Sequence, residues 1–454
     1  MTKTVLASEH AVLDSNAYTG GGTDDTDALQ FLLDKAVLWG GLKVIMDGAA
    51  LVRGLRVHSN TTIECLNKDC GFFLKSGSNN SIIENFDVNY DEIINRNISL
   101  VGGTYNHNCK GQDHSTPGAE PGLSQRMKDA GVFGDSTMTI AMRFIGVENL
   151  LLRDLTIRNQ RTFAMLAANW KRAVMENIVI DLPDKMSEQN QDGLHFWGPG
   201  QFLTLRNIGG DAGDDFIALA PDEHDKVSHI TDVLIDGVFL DHADQGIRLL
   251  SRAEGRLDRV TIRNVTGTYR SFGFYINPWF PDKTSGSFGD IVFENIDLRP
   301  EAPNYHYRPP FLFQIGGRVE HLTLRNIKDH YSENQRVLFE VGSPFHDRSQ
   351  DDPSQTRIEE LTVDGLSILS RDGLRIAPFL IDAYIGRMVL RNADVSLGKT
   401  EETPLIGFGP HGQIGTLAVN GLLSDGLKKL TDAPENAVRE TVYWNIHPEG
   451  LIRT

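Results

Sequence analysis

What this chain has little of narrows its identity first. Its 454 residues hold three cysteines, Cys65, Cys70 and Cys109, an odd number with no CxxC pair. A disulfide-stapled scaffold is thereby excluded; free thiols are expected, with one bridge at most left open. No stretch approaches the ~20 consecutive apolar residues that a membrane-crossing helix needs. The opening MTKTVLASEHAVLDSNAYTGGG lacks the apolar core of a secretory signal. The expected location is cytoplasmic, the alternative being a secreted or periplasmic chain whose leader has been removed. Basic residues are also scarce, with 44 Lys+Arg against 61 Asp+Glu and a formal charge of −17. A surface so acidic is unsuited to gripping phosphate backbones or anionic membranes, so neither nucleic acid nor membrane is an expected partner. At 40% hydrophobic and 23% charged, the composition is nevertheless that of a folded globular chain.

Helical periodicity is nearly absent too, and a repeat stands in its place. The phrase is apolar, any, apolar, any, Asn or Gly, apolar. It reads LLLRDLTIRN at 150–159, FLTLRNI at 202–208, IVFENIDL at 291–298 and LAVNGL at 417–422, with several copies between. Taking the Asn/Gly position as marker gives 177, 207, 237, 264, 295, 326, 365, 392 and 421, at intervals of 30, 30, 27, 31, 31, 39, 27 and 29. The period-2 alternation is that of strands with one face inward. No single unit can bury its own apolar face, whereas stacked units bury a continuous one. Propeller blades need ~40–45 residues and Trp-Asp marks that are absent here. The expected fold is therefore all-β, a parallel β-helix (solenoid) in one domain over 1–454, its coils running from about 40 to 430. One exception is 23–38, where Ala28, Leu29, Leu32, Leu33, Ala36 and Val37 fall at helical spacing behind Asp and Thr N-cap candidates. That segment reads as a helix capping the open end of the solenoid. The stretch 103–135 breaks the pattern and reads as a long functional loop.

The chemistry-bearing residues gather on the middle coils. QDGLHFWG at 191–198 and GDDFIALA at 213–220 share one plan, an acid followed by a strand. Asp192 and Asp214, 22 residues apart, are expected one above the other on successive coils, with Asp215 next to them. ADQGIRLL at 243–250 sets Gln245 in the same column and Arg248 further along, and SFGFYINP at 271–278 sets Tyr275 in the column of Arg248. Clustered carboxylates repel one another, which raises the pKa of at least one of them. A protonated acid beside an ionised one is the equipment of glycosidic-bond hydrolysis. The bland alternative is an Asn/Asp ladder capping strand starts. Asn190, His195, Trp197, Arg248 and Tyr275 on neighbouring coils favour the functional reading, with Trp197 either a stacking surface for a sugar or core.

The opening GGGTDDTDALQFLLDKA and the following RGLRVHSNTTIEC resemble the entry of pectin-lyase-like proteins, which are single-stranded right-handed parallel β-helices. Asn190-Gln191-Asp192, Gly213-Asp214-Asp215 and Gly246-Ile247-Arg248 resemble three of the four signature segments of the polygalacturonases, family 28 of the glycoside hydrolases. The resemblance implies inverting hydrolysis without cofactor or metal. It makes Asp214 the general acid and gives Asp192 and Asp215 the water, with a carbohydrate as substrate. Two departures accompany it. No Gly-His-Gly segment lies between Asp215 and Arg248, where His224, His229 and His242 fall, and His195 and His242 are the candidate substitutes. The family's Arg-Ile-Lys reads Arg248-Leu249-Leu250, so a lysine that would grip a uronate carboxylate is gone, with Arg252 a candidate replacement. A less acidic, pectin-like or related sugar is the expected substrate.

Two other classes compete. In a β-helix polysaccharide lyase the same aspartates would hold Ca²⁺ and Arg248 would act as base. In a non-catalytic glycan-binding solenoid of tailspike or adhesin type the acids would be structural. Loops at 278–290 and 300–312 are expected to wall one end of a groove, and a homo-oligomer is compatible with the flat faces of a solenoid.

Overall fold

A computed structural model describes the chain except Met1 and residues 132–133, 187–189, 278–285, 303–309, 331–336, 343–355, 449–450 and 452–454. The chain is all-β, 59% strand and 7% helix, and its strands pair in parallel as those of a right-handed β-helix. It divides into two compact units, Met1–Ile235 and Asp236–Thr454. Among the described residues no helix is long and apolar enough to cross a membrane.

The repeat phrase has a backbone cause. In the strand Ser287–Pro300, Ile291 and Phe293 face inward by alternation; the next inward residues are Ile296 and Leu298. The alternation slips by one residue at Asn295, whose φ is 57°. A left-handed residue there turns the chain between two sheet segments while keeping the apolar face of both inside. Every marker position behaves this way, from Asn177 at φ 56° through Gly237 at 83° to Gly421 at 75°. Asn and Gly are the residues that tolerate this conformation, which costs others about 1–2 kcal/mol.

The asparagine markers also bond to one another along the stack. Asn295 donates to Asn264 at 2.9 Å and accepts from Asn326 at 2.9 Å. Asn207 donates to Asn177 at 3.0 Å. Where the marker is Gly, the residue before it takes over as acceptor: Asp236 for Asn264 at 2.6 Å, Asp364 for Asn392 at 2.7 Å, and Asn420 for Asn445 at 3.1 Å.

With the corners fixed, side chains stack in columns. In the first unit Val5, Val44, Ile63, Leu100, Leu152, Met175 and Leu205 are successive register partners, and all are buried. In the second unit Phe274, Phe313, Phe339 and Phe379 form another column. Their rings stack at centroid distances of 4.7, 5.3 and 4.4 Å. The three cysteines are unpaired and buried.

Three details differ from the sequence reading. The helix spans Thr26–Trp39 and buries Leu29, Leu32, Leu33 and Ala36, but Val37 is 64% exposed because it falls off that stripe. Asp25, at the N-cap position, makes no cap bond; its carboxylate accepts the Val12 and Leu13 N–H groups at 2.8 and 2.9 Å. Strand pairing begins earlier and ends later than 40–430, with Lys3–Leu6 against Leu42–Met46 and Val438–His447 against Gln413–Leu427. The final strand is mostly exposed, so its sequence shows no inward face.

Of the 103–135 stretch, expected as a loop, Thr104–Asn106 is a coil strand paired with Gly71–Leu74 and Thr156–Arg158, and the excursion follows it. Ser115–Pro117 and Ser136–Met138 pair antiparallel, and a short helix, Gln125–Ala130, lies between them. A buried Arg143 anchors it through Glu120 at 2.7 Å, and the Tyr90 hydroxyl donates to the same carboxylate at 3.1 Å. Of the expected wall loops, 278–285 and 303–309 lie outside the described residues.

Asn295→Ala should lower the denaturation midpoint by the equivalent of about 1–2 kcal/mol for the left-handed backbone, with about 1 kcal/mol more for the lost ladder bonds. Asn295→Gly should lose the ladder contribution only. Chemical unfolding of the two variants side by side separates backbone from side chain.

Candidate active site

The strand Leu194–Trp197 is flanked in parallel by Met165–Asp181 and Asp215–Ala220, with Met165, Leu194 and Ile217 in one column. The offset to the later strand is 217 − 194 = 23 residues. Continued back two residues, that offset sets Asp192 beside Asp215, and the Gly193 N–H donates to the Asp215 carbonyl at 2.9 Å. The offset ends there: the Gly213 N–H donates to the Gln191 carbonyl at 2.9 Å, so Gly213, and not Asp214, bonds beside Gln191. The expectation that Asp192 stacks on Asp214 is thus corrected, since its neighbour is Asp215. The reason is steric. A Cβ on Gly193 would lie 2.2 Å from the Phe216 carbonyl oxygen, so the coils close together only where glycine meets that residue.

The turn before the strand is held by its own amides. Asn190, at φ 68°, donates its N–H to Asp214 Oδ2 at 3.1 Å. The buried Gln191 side chain donates to the Gln160 carbonyl at 2.9 Å and accepts the Met186 N–H at 2.6 Å. Asp192 and Asp215 are buried, at 3% and 4% exposure, while Asp214 is partly exposed. In the coil leading to Asp214, Lys185 pairs with Asp211 at 3.1 Å.

His195 lies between two carboxylates. Its Nδ1 is 2.8 Å from Asp192 Oδ2 and its Nε2 is 2.8 Å from Glu223 Oε2. The Phe163 ring stacks on it at 4.4 Å and 9°. Burial would lower its pKa, but the Glu223 charge and the bonds to Asp192 and Glu223 outweigh burial and raise it to about 10. Trp197 donates its indole N–H to the same Glu223 oxygen at 2.8 Å and stacks on His224 at 5.2 Å and 14°. At 5% exposure, with one ring face on His224, Trp197 is core rather than an open stacking surface for a sugar. His224 is fully buried and its pKa is pushed down to about 4 by that burial, against the Asp225 charge.

Glu223 sits in a turn pinned by its neighbours. The Asp225 carboxylate accepts the Val227 and Ser228 N–H groups at 3.0 Å each and the Ser228 hydroxyl at 2.6 Å. Arg126, from the helix of the excursion, reaches Asp225 at 3.1 Å and the Tyr90 carbonyl at 2.9 Å.

The remaining candidates belong to the second unit. The Arg248 guanidinium lies over the Tyr275 ring at 5.1 Å. Tyr275, 1% exposed, packs in a cluster with Phe272, Phe311 and Val337. Gln245, Arg248 and Arg252 are buried. Leu250, standing where the resemblance expects lysine, is 2% exposed, in keeping with an apolar role. His242 is exposed and bonded to Glu301 at 2.6 Å, so it is a solvated residue engaged with a surface carboxylate. Among the described residues no group of three or more His, Cys, Asp or Glu is arranged to hold a metal ion.

Sequence reasoning missed Glu223 and Lys185. Glu223 was within reach of it: Asp222-Glu223-His224-Asp225 is an unbroken run of titratable residues. Nothing in the repeat phrase marks that turn, because it lies between coils.

No family model matches the chain. A polygalacturonase of Gossypium barbadense is 26% identical over 164 residues, which are 36% of this chain and 38% of that relative. The match therefore spans well under half of the curated relative. Among solved structures, the family 28 exopolygalacturonase of Yersinia enterocolitica is similar at a TM-score of 0.54 and 14% identity, covering 98% of this chain and 79% of that one. The N-terminal fragment of gene product 12 of bacteriophage phi29 is similar at 0.59 and 13%, covering 95% and 73%.

Because the folded-state pKa of His195 stands above the unfolded value of 6.5, its charge stabilises the fold fully below pH 6.5. That contribution declines as the pH rises toward 10. The melting temperature of the wild type should exceed that of His195→Gln most below pH 6.5, with the gap closing toward pH 10.

In fold over nearly its whole length, and in sequence over about a third of it, the chain is similar to polygalacturonases and stands as a divergent, polygalacturonase-like member.

Proposed function

We propose that the chain is an inverting glycoside hydrolase that cuts a glycosidic bond in a pectin-like or related poly- or oligosaccharide. The observation that carries this reading is the acid trio at the start of two adjacent strands. Asp192 and Asp215 are buried side by side, and Asp214 next to them is partly exposed. Glycoside hydrolysis by inversion needs one carboxylic acid to protonate the leaving oxygen and a carboxylate to deprotonate water on the opposite face. In this reading Asp214, the accessible member, gives its proton to the glycosidic oxygen. Asp192 and Asp215 take the water. The division follows the polygalacturonase resemblance, and the partial exposure of Asp214 supports it.

The sugar is read from the cations. Arg248 is retained with Tyr275 against it, while the lysine position is the buried Leu250. With one fewer cation and a net charge of −17, the chain is poorly equipped for a fully charged polyuronate, so a partly neutral or esterified sugar chain is the substrate class proposed.

A panel of defined oligosaccharides, acidic, methyl-esterified and neutral, with product analysis tests this. Cleavage should give plain reducing ends of inverted anomeric configuration. Asp214→Asn should lower kcat by about 10²–10⁴, the range of general acid–base groups, and Asp192→Asn similarly. Near-wild-type turnover in Asp214→Asn would remove the assignment. A chelator-sensitive reaction that releases an unsaturated uronate would instead establish the lyase chemistry.

A further inference from the structure

The hydrolase reading needs three aspartates, and one of them, Asp192, is bonded to a buried histidine. We propose that His195 is a positioning residue: it holds the Asp192 carboxylate with one ring N–H and is itself held by Glu223 through the other, so that Asp192 stays a fixed anion and proton exchange with substrate falls to Asp214. The proposal rests on the glycosidase reading of the trio and deepens it by adding two residues, His195 and Glu223.

The geometry argues it without reference to titration. Both ring nitrogens lie 2.8 Å from carboxylate oxygens. An ionised carboxylate only accepts hydrogen bonds, so each nitrogen must donate, and a ring donating at both positions is an imidazolium. Glu223 Oε2 also accepts the Trp197 indole N–H at 2.8 Å, which an ionised oxygen takes most readily. The register neighbours of His195 are the apolar Leu166 and Ala218, and Phe163 covers a ring face. The charged groups facing it are Asp192 and Glu223. In such surroundings charge–charge attraction is stronger than in water, and a cation there offsets the repulsion between Asp192 and Asp215.

The support continues outward. Glu223 belongs to the turn that Asp225 ties through Ser228, and Arg126 fastens Asp225 to the 103–135 excursion. The long insertion therefore acts on Asp192 indirectly, through the Asp225 turn, then Glu223, then His195. Without the histidine, Asp192 would face Asp215 with less compensation. It would take up a proton at a higher pH and would lose its fixed direction.

The test uses His195→Gln, His195→Phe and Glu223→Gln in the full chain. The probe is the panel oligosaccharide that the wild type cleaves. Both His195 variants should lose about 10²-fold in kcat, the cost of a misplaced reacting group, with KM changed less than about twofold. The acidic limb of their kcat–pH profile should move to higher pH. Glu223→Gln should shift it the same way by less. Nitrogen NMR of the His195 ring, with both nitrogens protonated at pH 8 in the wild type, supplies a readout independent of turnover. A neutral ring at pH 8 overturns the proposal, whatever the enzyme does. So does a His195 variant of native melting profile whose kcat–pH limb is unmoved. If the His195 variants fail to fold, the Glu223→Gln profile and the NMR decide alone. If no oligosaccharide is cleaved, the glycosidase reading fails, and a doubly protonated ring would then stand only as the buried ion triad.

Discussion

Everything in this molecule depends on a corner that must be made by a left-handed residue. A parallel coil keeps its apolar side chains inside only if the chain changes direction without losing inward phase, and one residue at positive φ per corner does this. Asn and Gly occupy that position throughout the repeat. The asparagines then bond from coil to coil, so the corners are held in register as well as in conformation. From fixed corners follow the columns of Leu, Ile, Val and Phe. From the columns follows the 23-residue offset that sets Asp192 beside Asp215.

Bringing these acids together is electrostatically unfavourable, and the chain offsets it locally. A chain of formal charge −17 has few cations to spend. One of its buried positive groups is not a lysine or arginine but His195, turned into a cation by the two carboxylates it separates. Buried ion groups stabilise little in themselves, because desolvation consumes the attraction. Their value here is directional: the carboxylate oxygens that face His195, Asp192 Oδ2 and Glu223 Oε2, each have a defined donor. The same economy is seen at Arg143, which serves Glu120 and Glu84 together.

Much of the fold was legible in the sequence because one residue type had one physical task. The marker positions at 177 to 421 are the left-handed corners, and their intervals equal the observed strand offsets, 30 from Ile178 to Ile208 and 39 from Ile327 to Leu366. What escaped was set by contacts between segments of unlike pattern. The 23-residue offset stops short of Gln191, where the Gly213 N–H donates to the Gln191 carbonyl, a turn bond that spacing does not show. Trp197 read equally as sugar platform or core, and only its neighbours Glu223 and His224 decide between them. The terminal strand Val438–His447 could not be read at all, since alternation is written only where a strand covers a core.

The unequal coil lengths have a consequence of their own. In the second unit, coils of 31, 39, 27 and 29 residues present the same inward column, Phe293, Leu324, Val363, Leu390 and Val419. Twelve residues more or fewer leave the core unaltered, 39 − 27 = 12, because the surplus is taken up between strands. Such an architecture separates two kinds of heredity in one chain. The strands are bound by stacking, so a change in one must fit its column. The connections can differ in length and carry their own chemistry, as in the 103–135 excursion, whose Arg126 is fastened to the turn behind His195. Innovation in a protein of this kind needs no new fold, only a longer bridge between two old strands.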